Sequence, residues 1–285
     1  MAAMLARIYE EEDVGPEIRR LYNDVRTAFD LPFVPTLFKV LAGSPEYLRL
    51  MWRDLAPVAG SREFHTSVFA LDEVVRSAAI GGGWSFRNQE RVLAEQKIAI
   101  SDMPVLAGVV GVFARELPSM MLFSRLIQRG YSGGQPGRVS NAKQAPALSR
   151  LMTLNVASDH DSSLRVWLLY SEIRRTLATR HVPGVFRALS PFPGYLASAW
   201  LETKHLFDDE AFMTARDTMS RRAAMLIAGL PVHDHRRLAG NISNEQWREI
   251  EQTVDRFVHL IPQMALLCAV WRRSFALTFT RSKAA

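Results

Sequence analysis

The amino-acid sequence predicts an all-α protein, a tandem duplication of a helical bundle that forms an intramolecular pseudo-dimer. Three observations carry this reading. Apolar residues recur at helical spacing along the chain, alternating β patterns are absent, and one unusual stretch is written twice. Residues 34–52 read VPTLFKVLAGSPEYLRLMW and residues 182–200 read VPGVFRALSPFPGYLASAW, an offset of 148 with no gap. Val, Pro, Phe, Leu, Pro, Tyr, Leu and Trp coincide, 8 of 19 positions. The register continues upstream, where Leu21-Tyr22-Asn23-Asp24-Val25-Arg26 meets Leu169-Tyr170-Ser171-Glu172-Ile173-Arg174. Downstream, Ala78-Ala79-Ile80-Gly81 meets Leu226-Ile227-Ala228-Gly229, and after a four-residue shift Leu117-Pro118-Ser119-Met120 meets Ile261-Pro262-Gln263-Met264. Self-similarity at a fixed offset is the mark of a repeated structural unit. The expected division is a first repeat over 1–130, a linker over 131–160 and a second repeat over 161–285.

The elements follow in order. Pro16 suits the first turn of a helix on which Ile18, Leu21, Tyr22 and Val25 share one face. Ser44-Pro45-Glu46 supplies an N-cap, a first-position proline and a first-turn acid for a helix through Trp52 and beyond. A third helix is expected over 62–80, stopped by Gly81-Gly82-Gly83, and its partner is expected to stop at Gly229-Leu230-Pro231. Pro118 and Pro262 fall inside long apolar helical runs, which they should kink or divide. GYSGGQPGRVSNAKQAP over 130–146 has the composition of a surface linker. Ser243 and Gln246 have capping-box spacing and open the last helix.

The bulk composition removes several classes. Of 285 residues 48% are hydrophobic and 22% charged, enough apolar surface for a sizeable core. Cys268 is the single cysteine, which excludes a disulfide framework and any CxxC site. The net charge of +6 comes from dispersed Arg pairs and not from a basic arm, so a nucleic-acid partner is not expected. The opening MAAMLARIYEEEDVG lacks the apolar core of a secretory signal, and the apolar run Pro104 to Ala114 is about half a bilayer span. A cytoplasmic protein without a membrane partner is expected. No GxGxxG or GKS/T loop occurs, so no nucleotide cofactor is indicated. Asp159-His160-Asp161 and His233-Asp234-His235 look like metal ligands but lack partners at helical spacing; both read as caps or solvated residues, and no metal is expected.

The recurring pattern Tyr-x-(Asp/Glu)-(Val/Ile)-Arg, Val-Pro-x-x-Phe-(Lys/Arg)-x-Leu and Pro-x-Tyr-Leu-x-x-x-Trp resembles the cofactor-free group I 2-haloacid dehalogenases over most of the chain. The resemblance implies an all-helical pseudo-dimer with one site in the cleft between repeats. It also implies displacement of halide from a 2-halocarboxylic acid by water that an aspartate activates, without a cofactor. In such members the aspartate immediately precedes the Phe of the second repeat, and the equivalent here is Val185 before Phe186. An Asn before the mid-helix proline corresponds here to Leu117. Phe33 keeps an aromatic position in kind, with Thr36 near it, and Gly184 lies beside Val185. These five are the expected substrate-binding residues. A weaker likeness is to the carboxymuconolactone decarboxylase and alkylhydroperoxidase helical proteins, whose peroxidase branch needs the CxxC pair absent here.

Three further residues are candidates for acid–base work. Glu116, beside Pro118, either faces the cleft, where desolvation would make it a usable base, or lies with Arg115 on an exposed edge. His181 occupies the place of Phe33 in the second repeat. His259, three residues before Pro262, is either a cleft proton shuttle or a hydrogen-bonded structural histidine. The expected function is therefore a divergent, cofactor-independent enzyme acting on an apolar or carboxylate-bearing small organic molecule in the inter-repeat cleft. The alternative is a non-catalytic binding protein on the same scaffold. A homodimer is compatible with either.

Overall fold

In the computed structural model, residues 7–140, 154, 156 and 163–282 are described. Among them lie twelve α-helices and no strand, only an isolated bridge between Gln135 and Val232. The first group comprises α1 (Pro16–Phe29), α2 (Thr36–Leu41), α3 (Pro45–Ala59), α4 (Arg62–Gly81), α5 (Gln89–Glu95) and α6 (Met103–Tyr131). The second comprises α7 (Leu164–Thr176), α8 (Gly184–Ala188), α9 (Pro193–Thr203), α10 (Glu210–Leu226), α11 (His235–Leu238) and α12 (Asn244–Ser282).

Local chemistry places the ends. Pro16 opens α1, and the expected face of Ile18, Leu21, Tyr22 and Val25 is buried. Ser44 does occupy the N-cap of α3, but its side chain makes no capping bond; Pro45 at the first position sets the turn instead. Ser61 caps α4, its hydroxyl accepting from Phe64 N at 3.1 Å. Gly83, with φ of +67°, lies just beyond that helix in the left-handed region glycine favours. The partner helix α10 stops at Leu226, three residues before Gly229. Ser243 and Gln246 form the expected box: Gln246 N donates to Ser243 Oγ at 3.2 Å, and Ser243 N donates to Gln246 Oε1 at 2.9 Å. The linker begins in ordered form, with Gln135 N donating to Val232 O at 2.6 Å. Gly134 permits this approach, since a Cβ there would collide with the backbone at His233. Residues 141–153 and Asp159-His160-Asp161 lie outside the described residues.

Of the two outcomes expected at Pro118 and Pro262, a kink or a division, division does not occur. Both prolines lie inside continuous helices, α6 and α12. A proline removes one backbone donor, and buried apolar neighbours on either side keep the rest of each helix in place. Windows of α6 and α12 are long and apolar enough to cross a membrane, yet 67% of each window is buried inside the protein, as in a core helix.

Contacts gather the chain into two units. Unit 1 holds Met1–Leu71, Ser119–Thr153 and Ser220–His259; unit 2 holds Asp72–Pro118, Leu154–Met219 and Leu260–Ala285. Neither is a contiguous stretch, and each draws residues from both sides of 131–160. The cuts at 71/72 and 219/220 are themselves 148 apart, and the other two fall beside Pro118 and near Pro262.

In unit 1, Phe38 packs edge-on against Trp52 with ring centroids 5.6 Å apart at 85°. In unit 2, Phe186 packs against Trp200 at 5.5 Å and 88°. The doubly written residues are thus core-forming, and aromatic pairs of this geometry add to their area burial. Phe38→Ala and Phe186→Ala should each lower unfolding free energy by about 3–5 kcal/mol in urea titrations. A loss below about 1 kcal/mol for either would mean its ring is not a core anchor.

Candidate functional site

Helix α6 turns an apolar stripe inward, with Val109, Val112 and Phe113 buried. Glu116 follows Val112 by four residues and Phe113 by three, so it inherits that stripe and is only 6% exposed, while Arg115 beside it points out. Of the two sequence alternatives, the exposed edge is therefore wrong for Glu116. Burial pushes its carboxyl from 4.5 up to about 8, and the Arg187 guanidinium pulls in the opposite direction.

Arg187 reaches this place from α8, a short helix started by Val182-Pro183 in which Val185, Phe186 and Ala188 are all buried. It is 1% exposed, a fully interior cation. The corresponding residue 148 positions earlier, Lys39 on α2, is also buried and is ion-paired with Glu10 inside unit 1. Lys39 thus has a carboxylate as ion-pair partner, whereas Arg187 has the Glu116 carboxyl within charge range.

In unit 2 Cys268 feels the Glu116 charge, and two tryptophans pack on Phe186, the residue before Arg187. Burial pushes the Cys268 thiol far up, and the nearby Glu116 charge adds to that, so it is not a nucleophile. Trp271, one turn further along α12, packs on Phe186 at 5.8 Å, as Trp200 does from α9. The indole N–H groups of Trp200 and Trp271 are buried and have no acceptor among the described residues. The arrangement is a buried cluster with one carboxyl pushed up to about 8, one guanidinium and two indole donors without an acceptor among the described residues.

The other sequence candidates are distributed as follows. His181 is half-buried in the segment before α8, its carbonyl accepting from Thr179 Oγ1 at 3.2 Å. Leu117 and Val185 are buried and Gly184 is partly buried, all in unit 2 with Glu116 and His181. Phe33, buried, and Thr36, the first residue of α2, belong to unit 1. His259 also belongs to unit 1 and is exposed on α12. Glu116, Leu117 and the 184–187 segment thus gather in one unit; Phe33, Thr36 and His259 do not join them there.

Two features escaped the sequence reading. Arg187 was visible only as the Lys/Arg of the repeated pattern, a cation in an otherwise apolar helix, and that recurrence was the available signal. The second is a polar cluster in unit 1. Asp234 caps α11 as expected, accepting from Arg236 N at 3.0 Å and Arg237 N at 3.2 Å. His235, however, is fully buried, with Nε2 3.0 Å from Asp54 Oδ2 and Nδ1 3.4 Å from the Tyr47 hydroxyl. His233 adds a side-chain bond and a backbone N–H at 3.0 Å to the same carboxylate. Burial alone would raise Asp54, but these bonds from His235 and His233 outweigh it and bring the group from 3.8 to about 2. Among the described residues no group of three or more His, Cys, Asp or Glu is arranged to hold a metal ion.

Comparison with known proteins agrees with this all-helical architecture. Residues 32–183 and 180–285 match the family model described as Halocarboxylic acid dehydrogenase DehI. The chain belongs to that family. Curated relatives include an (R)-2-haloacid dehalogenase of Pseudomonas putida, 22% identical over 275 residues, covering 92% of this chain and 90% of the relative. Another (R)-2-haloacid dehalogenase, from Rhizobium sp. (strain NHG3), is 22% identical over 232 residues, covering 79% and 88%. Among solved structures, a D-2-haloacid dehalogenase mutant in complex with D-2-CPA superposes with a TM-score of 0.80 at 20% identity, covering 94% of this chain and 95% of the other. D-2-haloacid dehalogenase in complex with L-LA gives 0.81 at 20% identity, covering 94% and 96%. At that identity the likeness is one of fold.

The raised Glu116 pKa has a linkage consequence. Between its unfolded value near 4.5 and its folded value near 8 the native state holds a proton the unfolded chain has lost, so stability falls as pH rises through that window. Glu116→Gln should flatten this slope and gain on the order of a few kcal/mol over wild type at pH 8, read from urea midpoints at pH 5 and 8. Parallel profiles for the two proteins would show that Glu116 titrates normally.

Proposed function

We propose that this chain is a cofactor-independent enzyme acting on a small organic molecule that carries a carboxylate, with Glu116 as its acid–base group. The observation that carries this reading is a carboxyl group buried in unit 2, pushed up to about 8 by that burial and acted on by the Arg187 charge. A base is most useful when its pKa lies near the working pH. Arg187, with the indole N–H groups of Trp200 and Trp271, offers donors suited to a substrate carboxylate. The relatives are named as 2-haloacid dehalogenases, which supports a 2-substituted carboxylic acid as substrate class.

In this reading the proton acceptor has moved. The resemblance gives the aspartate's place to Val185, which is buried and cannot take a proton. Glu116, from the other side of 131–160, feels the charge of Arg187 on the same short helix. For a hydrolytic displacement, a water oxygen would form the bond to C2 as the leaving group departs with the bonding pair. The water's proton would pass to Glu116 and then to solvent. Around it Leu117, Gly184 and Val185 would shape an apolar wall, with His181 nearby in the same unit. His259, exposed, supports no such role, and Phe33 and Thr36 enter only through the resemblance.

We also read the chain as a tandem duplication joined through 131–160 that works in the cytoplasm and can self-associate as a homodimer. The matched Phe38–Trp52 and Phe186–Trp200 geometries support the duplication. A second functional reading, a non-catalytic binding protein, is favoured by the hydrocarbon at Val185.

Halide release from both enantiomers of 2-chloropropionate, followed across pH 5–10, separates them. The enzyme reading expects a rate that climbs with pH through about 8 and a Glu116→Gln variant slower by about 10²-fold or more. Val185→Asp should raise hydrolysis above wild type. Unchanged turnover in Glu116→Gln removes the proposed machinery; no turnover in wild type with tight 2-chloropropionate binding selects the binding protein.

A further inference from the structure

Unit 2 has a groove of about 140 Å³ among α4, α6 and α12. Ala79 and Ala269 lie in its apolar wall, and Arg76, Arg272 and Arg273 line it with Asp72. Asp72 is spoken for by Arg76 at 3.1 Å, which also binds Glu73. Arg273 Nη1 donates to the carbonyl of Ala79 at 3.3 Å. Arg272 is exposed and has no acidic partner among the described residues. Three guanidinium groups therefore meet one committed carboxylate.

At the equivalent positions of unit 1 the side chains differ. The sequence register pairs α6 with α12 at an offset of 144, so Arg125, Gln128 and Arg129 correspond to Ala269, Arg272 and Arg273. One contact occurs in both units and fixes this register. Arg129 Nη1 donates to Ile227 O as Arg273 Nη1 does to Ala79 O, and 227 and 79 are 148 apart. In unit 1 the Arg125 side chain fills the space, donating to Ser220 Oγ at 2.6 Å and Gln128 Oε1 at 2.8 Å; Ser220 is the counterpart of Asp72. Asp255 supplies a favourable negative charge there. Unit 2 has Ala269 in place of the Arg125 plug, Gly111 in place of Asp255 and Arg272 in place of Gln128. A Cβ added at Gly111 would meet nothing within 4 Å. Plug and acid are gone, and a cation has been added.

We propose that this groove binds a small organic monocarboxylate, its apolar ring or short chain on the alanine wall and its carboxylate on Arg272. The planar guanidinium fork matches a carboxylate in two parallel bonds. The volume is comparable to the roughly 150 Å³ that accommodates a benzene ring in an apolar cavity. The inference uses only groove residues and stands independently of the role given to Glu116.

Benzoate titrated into the full-length protein by calorimetry tests it, with benzyl alcohol as the uncharged control. Saturable benzoate binding is expected, about tenfold or more tighter than benzyl alcohol. Arg272→Gln, which installs the unit 1 residue at an exposed site, should weaken benzoate by about tenfold or more, and Ala269→Arg, which restores the plug, should abolish binding. Glu116→Gln should leave the affinity within about twofold. Absence of saturation, or an affinity that ignores Arg272→Gln, overturns the proposal. An affinity that instead follows Glu116→Gln places the carboxylate at the buried site, sinking this groove while sparing the enzyme reading. Arg272→Gln decides the matter even if Ala269→Arg fails to fold.

Discussion

A buried cation that must not stand alone governs the chemistry of this protein. The short helices α2 and α8 are each launched by Val-Pro and each bury their whole circumference, because their neighbours Phe38 and Phe186 anchor the aromatic cores. A Lys or Arg at the next position is carried inside with them. Desolvating such a charge without a partner costs several kcal/mol, so a carboxylate has to follow. For Lys39 that is Glu10, which keeps some contact with solvent. For Arg187 the acidic group within charge range is Glu116, delivered from an apolar stripe and only 6% exposed. The two pairs have the same logic and opposite consequences: the partly solvated one is a structural pin, and the sealed one leaves a carboxyl poised near neutral pH.

The same asymmetry recurs wherever offset-related positions differ. Arg125 with Asp255 closes a space in unit 1 that Ala269 and Gly111 leave open in unit 2. The Tyr47 hydroxyl meets His235, whereas Tyr195, its counterpart, donates to Gln89 Oε1 at 2.8 Å. One set of positions has been given over to filling and fastening. The other retains unspent polar capacity, at the Trp200 and Trp271 indoles and at Arg272.

How much of this could be read from the sequence follows from the range of the forces involved. Helix starts at Pro16, Pro45 and Ser243 were legible because caps and first-turn prolines act within four residues. The core anchors Phe38, Trp52, Phe186 and Trp200 were legible because they are written twice. The fate of Pro118 and Pro262 was not, since continuity of a helix through proline depends on tertiary packing. Nor was the burial of Glu116 resolved: charge at one helical position is compatible with both faces until the partner cation is placed, and Arg187 lies 71 positions away. His235 failed for the same reason, because the acid that draws it inward, Asp54, sits far away on α3.

Two buried polar clusters remain as candidates for proton chemistry, and their electrostatics decide between them. In unit 1 the Asp54 carboxylate accepts from His235 Nε2–H and from His233 side chain and backbone, which leaves His235 Nδ1 to accept from the Tyr47 hydroxyl. Every group there is satisfied, and a carboxylate held near 2 is too weak a base to draw a proton from water at neutral pH. This network fastens α3 to the turn before α11. In unit 2 the balance is reversed. Desolvation outweighs the Arg187 guanidinium, so the Glu116 carboxyl is pushed up to about 8. Cys268 beside it is disabled as a thiolate by the same burial, so the carboxyl is the one reactive group this cluster offers.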